Sequence, residues 1–340
     1  MAENAVNKGK RNNTLDCFRY LAAILVVALH VTAFADIHPI LSYLFAQVLP
    51  RIAVPFFLAA SGYFHACRIK NGTDDIYTYL TRIMVTYALW SVLYFVLRCI
   101  LGESIPMIQY IVSFVFKGSE YHFWYFPALA LAIMLTSAAY RTGYERLLIP
   151  LSIILYALGC LGNSHYLLGV RIRGVSWLIN SHMWEWINYM LCTGIPFFVC
   201  GHVMVKLVKR FGHVRTKTKF VLFMLSLFLF LVEVLMVKVF AWSRTISVTP
   251  CLYVLTVFLM LYILDDPIPI NTRFAQICRT LANYTYYSHV AFIMVFSKLG
   301  SILGVKRIPE SVLFVLVIGV TVITGLMLRQ CRSKMIRYLF

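Results

Sequence analysis

The side chains of this sequence that could do chemistry are ionisable groups placed inside long apolar stretches. The first stretch, LDCFRYLAAILVVALH at 15–30, contains Asp16, Arg19 and His30. Arg19 and His30 are eleven residues apart, so a helix places them on one face with a rise of about 16 Å between them. An imidazole titrates near neutral pH, which suits it to take a proton from a reacting hydroxyl. A snorkelling arginine and a structural histidine are the competing interpretations of this pair.

Three further apolar stretches and one isolated carboxylate add candidate substrate-binding residues. Ionisable groups within a bilayer are costly, so each is a functional candidate by default. The candidates are Arg51, Ser61 and Tyr63 in RIAVPFFLAASGYF, His122, Trp124 and Tyr125 in YHFWYF, His289 at the end of YTYYSH, and Glu233. Helix packing also accounts for the small residues of RIAVPFFLAASGYF. An interfacial aromatic belt accounts for much of YHFWYF.

These side chains must be positioned by membrane helices. The 340 residues are 61% hydrophobic and only 13% charged, about half the charge of a typical soluble chain. This composition excludes a disordered protein and argues against a soluble two-domain enzyme. Ten stretches are apolar and long enough to approach the roughly 20 residues of a transmembrane helix, namely 17–35, 52–67, 76–97, 121–140, 147–162, 186–205, 220–240, 246–264, 280–297 and 311–328. The shorter stretch 104–116 is predicted to be an interfacial or re-entrant helix.

The distribution of basic residues sets the orientation of these helices. The chain carries 31 Lys and Arg against 13 Asp and Glu, a net charge of +18. In a soluble protein this excess would suggest a nucleic-acid partner. With ten spans and a cytoplasmic N-terminus, 19 basic residues fall inside and six outside, as the positive-inside rule requires. We therefore predict an all-α polytopic membrane protein with both termini cytoplasmic and no nucleic-acid partner.

The same reading divides the chain into three parts. A polar cytoplasmic tail is predicted at 1–14, a membrane domain at 15–330 and a basic cytoplasmic tail at 331–340. The nine cysteines are scattered and form no C-x-x-C pair, so no metal site is predicted. A short echo links VPFF…G at 54–62 with IPFF…G at 195–201. We interpret it as shared helix packing rather than as an inverted repeat.

Four of these stretches, in this order, resemble the acyltransferase-3 family of integral-membrane acyltransferases. The matching features are Asp16, Arg19 and His30 in the first stretch, VPFFLAASGYF at 54–64, YHFWYF at 121–126, and the segment that ends at His289. Together they extend over nearly the whole chain. The first two matches are specific as a pair, whereas the aromatic motif alone is weak.

The resemblance implies transfer of an acyl group, usually acetyl, from acyl-coenzyme A to a hydroxyl of a cell-envelope glycan or lipid-linked sugar. His30 matches the essential histidine and is expected to be the general base, with a covalent acyl-histidine as the open alternative. Asp16 would orient Arg19, which matches the family's arginine. The expected location is the bacterial plasma membrane, and the expected partners are membrane lipid and the acceptor, with a homo-oligomer also allowed.

Arg82 falls where the family has a basic motif near the cytoplasmic face, and the resemblance makes it a candidate for binding the phosphates of coenzyme A. In many members the motif has two arginines three residues apart. Here Val85, three residues after Arg82, stands at the second position, and Tyr79 stands three residues before Arg82. Arg68, Lys70 or the loop 206–219 could supply the missing positive charge.

The same architecture also resembles the membrane half of the membrane-bound serine racemases of vancomycin resistance. There it is fused to a soluble pyridoxal-phosphate domain and linked to serine uptake. On this alternative the chain would be a serine-binding or transport module. Whether the native reading frame continues past Phe340 discriminates between the two interpretations.

Overall fold

The computed structural model describes residues 12–72, 75–305 and 307–330. Most of these residues lie in helices. No strand occurs in those residues. The main helices are α1 (Asn13–His30), α2 (Pro39–Lys70), α3 (Ile76–Ile100), α4 (Met107–Phe116), α5 (Tyr125–Arg141), α6 (Glu145–Gly162), α7 (Trp184–Arg210), α8 (Thr216–Val239), α9 (Pro250–Ile263), α10 (Thr272–Ile302) and α11 (Glu310–Gln330). Two short helices, Tyr166–Gly169 and Arg173–Ile179, lie between α6 and α7. The predicted all-α class is therefore confirmed.

Seven of these helices are long and apolar enough to cross a membrane, judged by length and composition within the described residues. They are α1, α2, α3, α6, α7, α8 and α11. The other three predicted spans lie in α5, α9 and α10, of 17, 14 and 31 residues. The total of ten and the cytoplasmic termini stay predictions. The predicted short helix at 104–116 is α4. Of the predicted tails, residues 1–11 of the tail at 1–14 and the whole tail at 331–340 lie outside the described residues.

Two of the long helices contain a wide turn just ahead of a proline. In α2 a π-helical turn, Tyr43–Val48, and a 3₁₀ turn, Leu49–Ile52, precede the regular helix. In α7 the π-helical turn Ile187–Gly194 precedes Pro196. Proline has no N–H to donate, so the turn before it can open without losing that hydrogen bond. Such turns are frequent at functional sites.

The described residues form two compact units. The terminal unit comprises Asn12–Ala53, Met84–Ile111 and residues 268–330, and the central unit comprises Val54–Ile83 and Val112–Pro267. In the terminal unit, Val27 and Val31 at the end of α1 pack with Val317 of α11. Phe292 and Phe296 of α10 pack against the same cluster. The apolar core of this unit therefore lies next to His30.

In the central unit, glycines allow two helix backbones to meet. A Cβ atom on Gly62 would lie 2.0 Å from the carbonyl oxygen of Phe198, and one on Gly201 would lie 2.0 Å from that of Ala59. Only glycine fits such an approach, as in other close helix contacts. The two glycines are the ones that end the repeated PFF…G pattern, which supports the interpretation of that echo as packing.

We expect Gly201→Ala to destabilise the protein by at least the roughly 1–3 kcal/mol typical of overpacking, because its methyl group would overlap backbone atoms that cannot rotate away. Gly319→Ala on α11 is the matched control, since a Cβ atom there meets nothing within 4 Å. Alanine is favoured over glycine in a helix interior by about 0.5–1 kcal/mol, so the control should hold or gain stability. Thermal unfolding in detergent measures both variants, and equal melting temperatures would contradict the packing assignment.

Candidate active site

His30 occupies the last helical position of α1 because the chain leaves the helix through a Schellman turn. The Ala33 amide donates to the Ala28 carbonyl at 2.9 Å, and the Thr32 amide donates to the Leu29 carbonyl at 3.3 Å. This turn needs a left-handed residue, usually glycine. Here Thr32 takes that place with φ 51°, a costly conformation for a β-branched residue. Strained backbone thus lies two residues from the imidazole.

The ring of His30 stacks on the ring of His289 from α10. The ring centroids are 5.2 Å apart and the planes differ by 26°. His289 is fully buried, and its Nδ1 lies 3.0 Å from the Thr285 carbonyl and 2.9 Å from the Tyr286 carbonyl. Because both neighbours of Nδ1 are acceptors, Nδ1 carries the proton and Nε2 keeps its lone pair. The two predicted histidines therefore meet, with the tautomer of one set by the backbone.

Arg51 belongs to the same neighbourhood. It lies in the 3₁₀ turn that follows the π-helical turn of α2. Its Nε donates to the Gln47 carbonyl at 3.1 Å, and its guanidinium interacts electrostatically with His30. The wide turn exposes a carbonyl that orients the arginine beside the imidazole.

A cavity of about 510 Å³ opens at His30 within the terminal unit. Hydroxyl groups from Thr32, Ser297 and Ser301 line it together with Arg307 and Glu310. The last two form an ion pair. A volume of this size falls in the roughly 300–1,000 Å³ range of small-molecule sites, and its lining suits a polar, hydroxyl-bearing ligand.

The loop after His30 is tied to the start of α11. Asp36 accepts a hydrogen bond from the Ser311 amide at 3.0 Å and another from the Ser311 hydroxyl. The carboxylate thus caps an otherwise unpaired amide of the helix. The hydroxyl hydrogen bond holds the pKa of the Asp36 carboxyl below its ordinary value.

Arg19 lies at the opposite end of α1 from His30. Its Nη1 is 3.5 Å from Oδ1 of Asp16, one turn away, so the predicted pairing of the two charges is present. Asp16 is buried, and Arg19 is partly exposed. Asn13 donates to the Ile270 carbonyl at 2.9 Å, which ties this end of α1 to the chain that leads into α10.

Apart from Arg51, the predicted residues of RIAVPFFLAASGYF and YHFWYF lie in the central unit. The Ser61 hydroxyl and the Tyr125 hydroxyl are 3.2 Å apart. Tyr63 and His122 are buried, and Trp124 stacks on Tyr189 at 4.5 Å between ring centroids. The interfacial interpretation of the aromatic run covers Tyr121, which is exposed, but not the buried His122.

The basic candidates for coenzyme binding also lie in the central unit. Arg68, Lys70 and Arg82 are exposed, and the Arg68 guanidinium lies 4.3 Å from the ring centroid of Tyr79. One of the basic residues in the loop 206–219 is paired within the protein and is therefore not a good candidate for binding phosphate. Its Lys219 is buried, with Nζ 2.7 Å from each carboxylate oxygen of Asp265.

Glu233 has a partner that the sequence could not name. Its Oε2 accepts a hydrogen bond from the Cys251 amide at 2.9 Å, in the first turn of α9. A carboxylate at a helix N-terminus is stabilised by the unpaired amides and by the helix dipole. This contact supplies a structural reason for the charge.

One buried group escaped the sequence analysis. His65 Nδ1 and His202 Nε2 are 3.0 Å apart, and His65 Nε2 lies 3.0 Å from the Ser137 hydroxyl. The usable signal was the same that singled out His30, an imidazole inside an apolar stretch. Among the described residues, no group of three or more His, Cys, Asp or Glu side chains is placed to hold a metal ion.

Comparison with known proteins decides the family. A family model described as an acyltransferase domain, acyltransferase-3, matches residues 12–329. The chain belongs to the acyltransferase-3 family. It therefore carries the acyltransferase domain of a multi-pass membrane protein family, as the four motifs predicted. No solved structure matches the chain.

This acyltransferase-3 chain is also similar to curated racemases. It is 31% identical over 201 residues to an amino-acid racemase of Enterococcus faecalis, which covers 56% of this chain and 28% of the relative. It is 28% identical over 165 residues to a serine/alanine racemase of Enterococcus gallinarum, which covers 46% and 24%. The matches span about a quarter of each relative's length.

We expect the Asp36 contact of this acyltransferase-3 protein to open in acid. Because the pKa of Asp36 is depressed in the folded protein, its stabilisation is present above the unfolded value of about 3.9 and is lost as pH falls through the folded value. Hydrogen exchange at the Ser311 amide, compared with Asp36→Asn at each pH, measures this. An excess of protection over the variant that does not fall as the pH is lowered from 6 to about 1 would show that the ionised carboxylate is not the group responsible.

Proposed function

We propose that this acyltransferase moves an acetyl group from acetyl-coenzyme A to a hydroxyl of a cell-envelope glycan or lipid-linked sugar, with His30 as general base. The observation that carries the proposal is the position of His30. His30 lines the cavity together with Thr32, Ser297 and Ser301, and its ring stacks on buried His289. A base must reach the acceptor proton and be held in place while it acts.

The reaction follows from these groups. The acceptor hydroxyl attacks the thioester carbonyl while His30 takes its proton, so a carbon–oxygen bond forms and the carbon–sulfur bond breaks. The proton then passes to the departing thiolate, which leaves as coenzyme A. His289 holds the His30 ring by stacking, and the nearby Arg51 guanidinium is available to stabilise negative charge on the carbonyl oxygen. An acyl-histidine intermediate on His30 is the alternative route.

The donor is proposed to bind on the cytoplasmic side. With ten spans and both termini inside, Arg19, Arg68, Lys70 and Arg82 fall at cytoplasmic helix ends. Guanidinium and ammonium groups bind phosphate through charge-assisted hydrogen bonds. The Arg19 side chain is partly exposed beside Asp16, which places a guanidinium within reach of the solvent at this end of α1. Arg19 thus assigns the coenzyme's phosphates to the end of α1 opposite His30, and the thioester must extend to His30 for the reaction.

The acceptor is proposed to reach His30 from the outer leaflet or beyond. Thr32, Ser297 and Ser301 offer hydroxyl groups of the kind that pair with sugar hydroxyls. Glu310 is the carboxylate of the lining and is mostly buried. The substrate-binding roles of Ser61, Tyr63, His122, Trp124, Tyr125 and Glu233 remain predictions from the sequence.

We expect His30→Ala to abolish acyl transfer, because a general base contributes about 10²- to 10⁴-fold to the rate. Purified protein in lipid is incubated with labelled acetyl-coenzyme A and candidate envelope acceptors, and transferred label is counted. His182→Ala is the control, since that imidazole is exposed and should leave transfer unchanged. Activity of His30→Ala within about tenfold of wild type would exclude the assignment.

A second candidate function is favoured by the similarity to the Enterococcus racemases. On this alternative the membrane domain binds or transports serine. Wild-type protein that neither binds acetyl-coenzyme A nor transfers its acetyl group, but takes up labelled serine in vesicles, would support it. The genomic neighbours provide a second test, glycan-synthesis genes against genes for D-serine peptidoglycan precursors.

The ten-span topology predicts opposite sides for two connections. A cysteine introduced at Lys209, in the last turn of α7, should be protected from a membrane-impermeant maleimide in intact cells. One introduced at Arg173, between α6 and α7, should be labelled. The native cysteines are replaced by serine in both variants. Labelling of the Lys209 position in intact cells would invert the orientation.

A further inference from the structure

A tyrosine hydroxyl is inserted into the backbone of α10 at the turn that carries His289. The Tyr94 hydroxyl of α3 donates to the Tyr287 carbonyl at 2.9 Å and accepts from the Ala291 amide at 3.0 Å. In a regular helix this amide and this carbonyl, four residues apart, bond each other directly. An inserted group of this kind widens or bends the helix locally. Tyr94 is 1% exposed, so no water competes for either contact.

Two other side chains of this part of α10 form hydrogen bonds with carbonyl groups of the same helix. The Ser288 hydroxyl donates to the Tyr284 carbonyl at 2.7 Å, and His289 Nδ1 bonds the carbonyls of Thr285 and Tyr286. Side chains that bond carbonyls of their own helix also bend it. His289 lies between the two backbone groups that Tyr94 bridges. Its ring direction therefore depends on how far that turn is opened.

Tyr94 is held in place by aromatic packing on Trp90. Trp90, one turn earlier on α3, packs against Tyr94 with 6.3 Å between ring centroids. Trp90 also packs against Tyr284 and Tyr287 of α10, at 6.0 and 5.9 Å. This cluster fixes the height of the Tyr94 hydroxyl along α10, so the insertion is a built feature of the terminal unit.

We propose that Tyr94 is a positioning residue for the acyl-transfer reaction. It acts by opening the 287–291 turn of α10 so that the His289 ring stacks on His30. The Tyr94 hydroxyl bridges Tyr287 and Ala291. His289 lies inside the bridged turn, and its ring stacks on that of His30 with 5.2 Å between the centroids. The inference rests on the proposed role of His30 as the base.

The test is Tyr94→Phe, which removes the hydroxyl and keeps the ring. The variant should fold, because the Ala291 amide and the Tyr287 carbonyl can then bond each other directly. Closure of the turn moves His289, and displacement of a catalytic group by about 1 Å costs up to 10²-fold. We expect kcat to fall about 10- to 100-fold while KM for acetyl-coenzyme A stays within about twofold.

Tyr110→Phe is the matched control. Its hydroxyl is also buried and also donates to a backbone carbonyl, that of Ser91 on α3, at 2.7 Å. That contact lies on no helix that carries a histidine of the site. The control should leave kcat near the wild-type value. An equal loss of kcat in the two variants would reduce Tyr94 to ordinary packing and overturn the proposal.

Coupling to His289 gives a readout that a purely structural role would not change. In a His289→Gln background, Tyr94→Phe should cause little further loss, because residues that act through one another are not additive. A full additional loss of kcat in that background would contradict a path through His289.

Nitrogen NMR of the histidine rings separates this inference from the proposed function. In full-length protein labelled with ¹⁵N-histidine in nanodiscs, the His289 signals are identified from His289→Gln. Tyr94→Phe should shift them, and Tyr110→Phe should not. If His30→Ala retained transfer, the proposed function would fail while this shift still reported on the turn. Unchanged His289 signals in Tyr94→Phe would overturn the inference whatever the activity.

Discussion

The absence of water in the hydrocarbon core is the constraint on which this structure depends, since a polar group placed there must find a partner within the protein. Several contacts supply such partners to polar side chains of the helices. Glu233 caps the amide of Cys251, His65 bonds His202 and Ser137, and Tyr94 bridges two backbone groups of α10. Each satisfies a polar group and also fixes one helix against another.

The same constraint explains where the helices are irregular. A proline or an inserted hydroxyl removes a backbone hydrogen bond, which is tolerated only where another group replaces it. In α2 the Gln47 carbonyl, within the π-helical turn, accepts from Arg51. In α10 the Tyr287 carbonyl accepts from Tyr94. Both places lie beside the His30 imidazole or its stacked neighbour, whereas the π-helical turn of α7 lies in the central unit.

The site therefore combines rigid packing with local strain. Small and β-branched residues at the end of α1 pack closely with α11, which holds His30 at a defined height. Thr32 adopts a positive φ immediately beyond it, and residues in that conformation persist only where the surrounding contacts enforce them. The Asp36 contact with Ser311 is one such contact. A histidine that packed neighbours hold in place and that lines a cavity fits the proposed proton transfer at a bound hydroxyl.

Much of this protein is determined by the sequence alone. Apolar stretch length and the low charge predict membrane helices, and the motifs around Arg19 and His30 predict the acyltransferase-3 family. These signals are local or compositional, so they need no knowledge of packing. The one-turn pair Asp16 and Arg19 was predictable for the same reason, because helical periodicity brings neighbours together.

Tertiary structure alone decided which distant polar groups meet. His30 and His289 are 259 residues apart in sequence, and no periodicity relates α1 to α10. The partner of Glu233, the pairing of His65 with His202 and the insertion of Tyr94 likewise depend on how helices pack. An ionisable residue in an apolar stretch is predicted to have a partner, since burial without one is costly. Only the packed fold determines which residue that partner is.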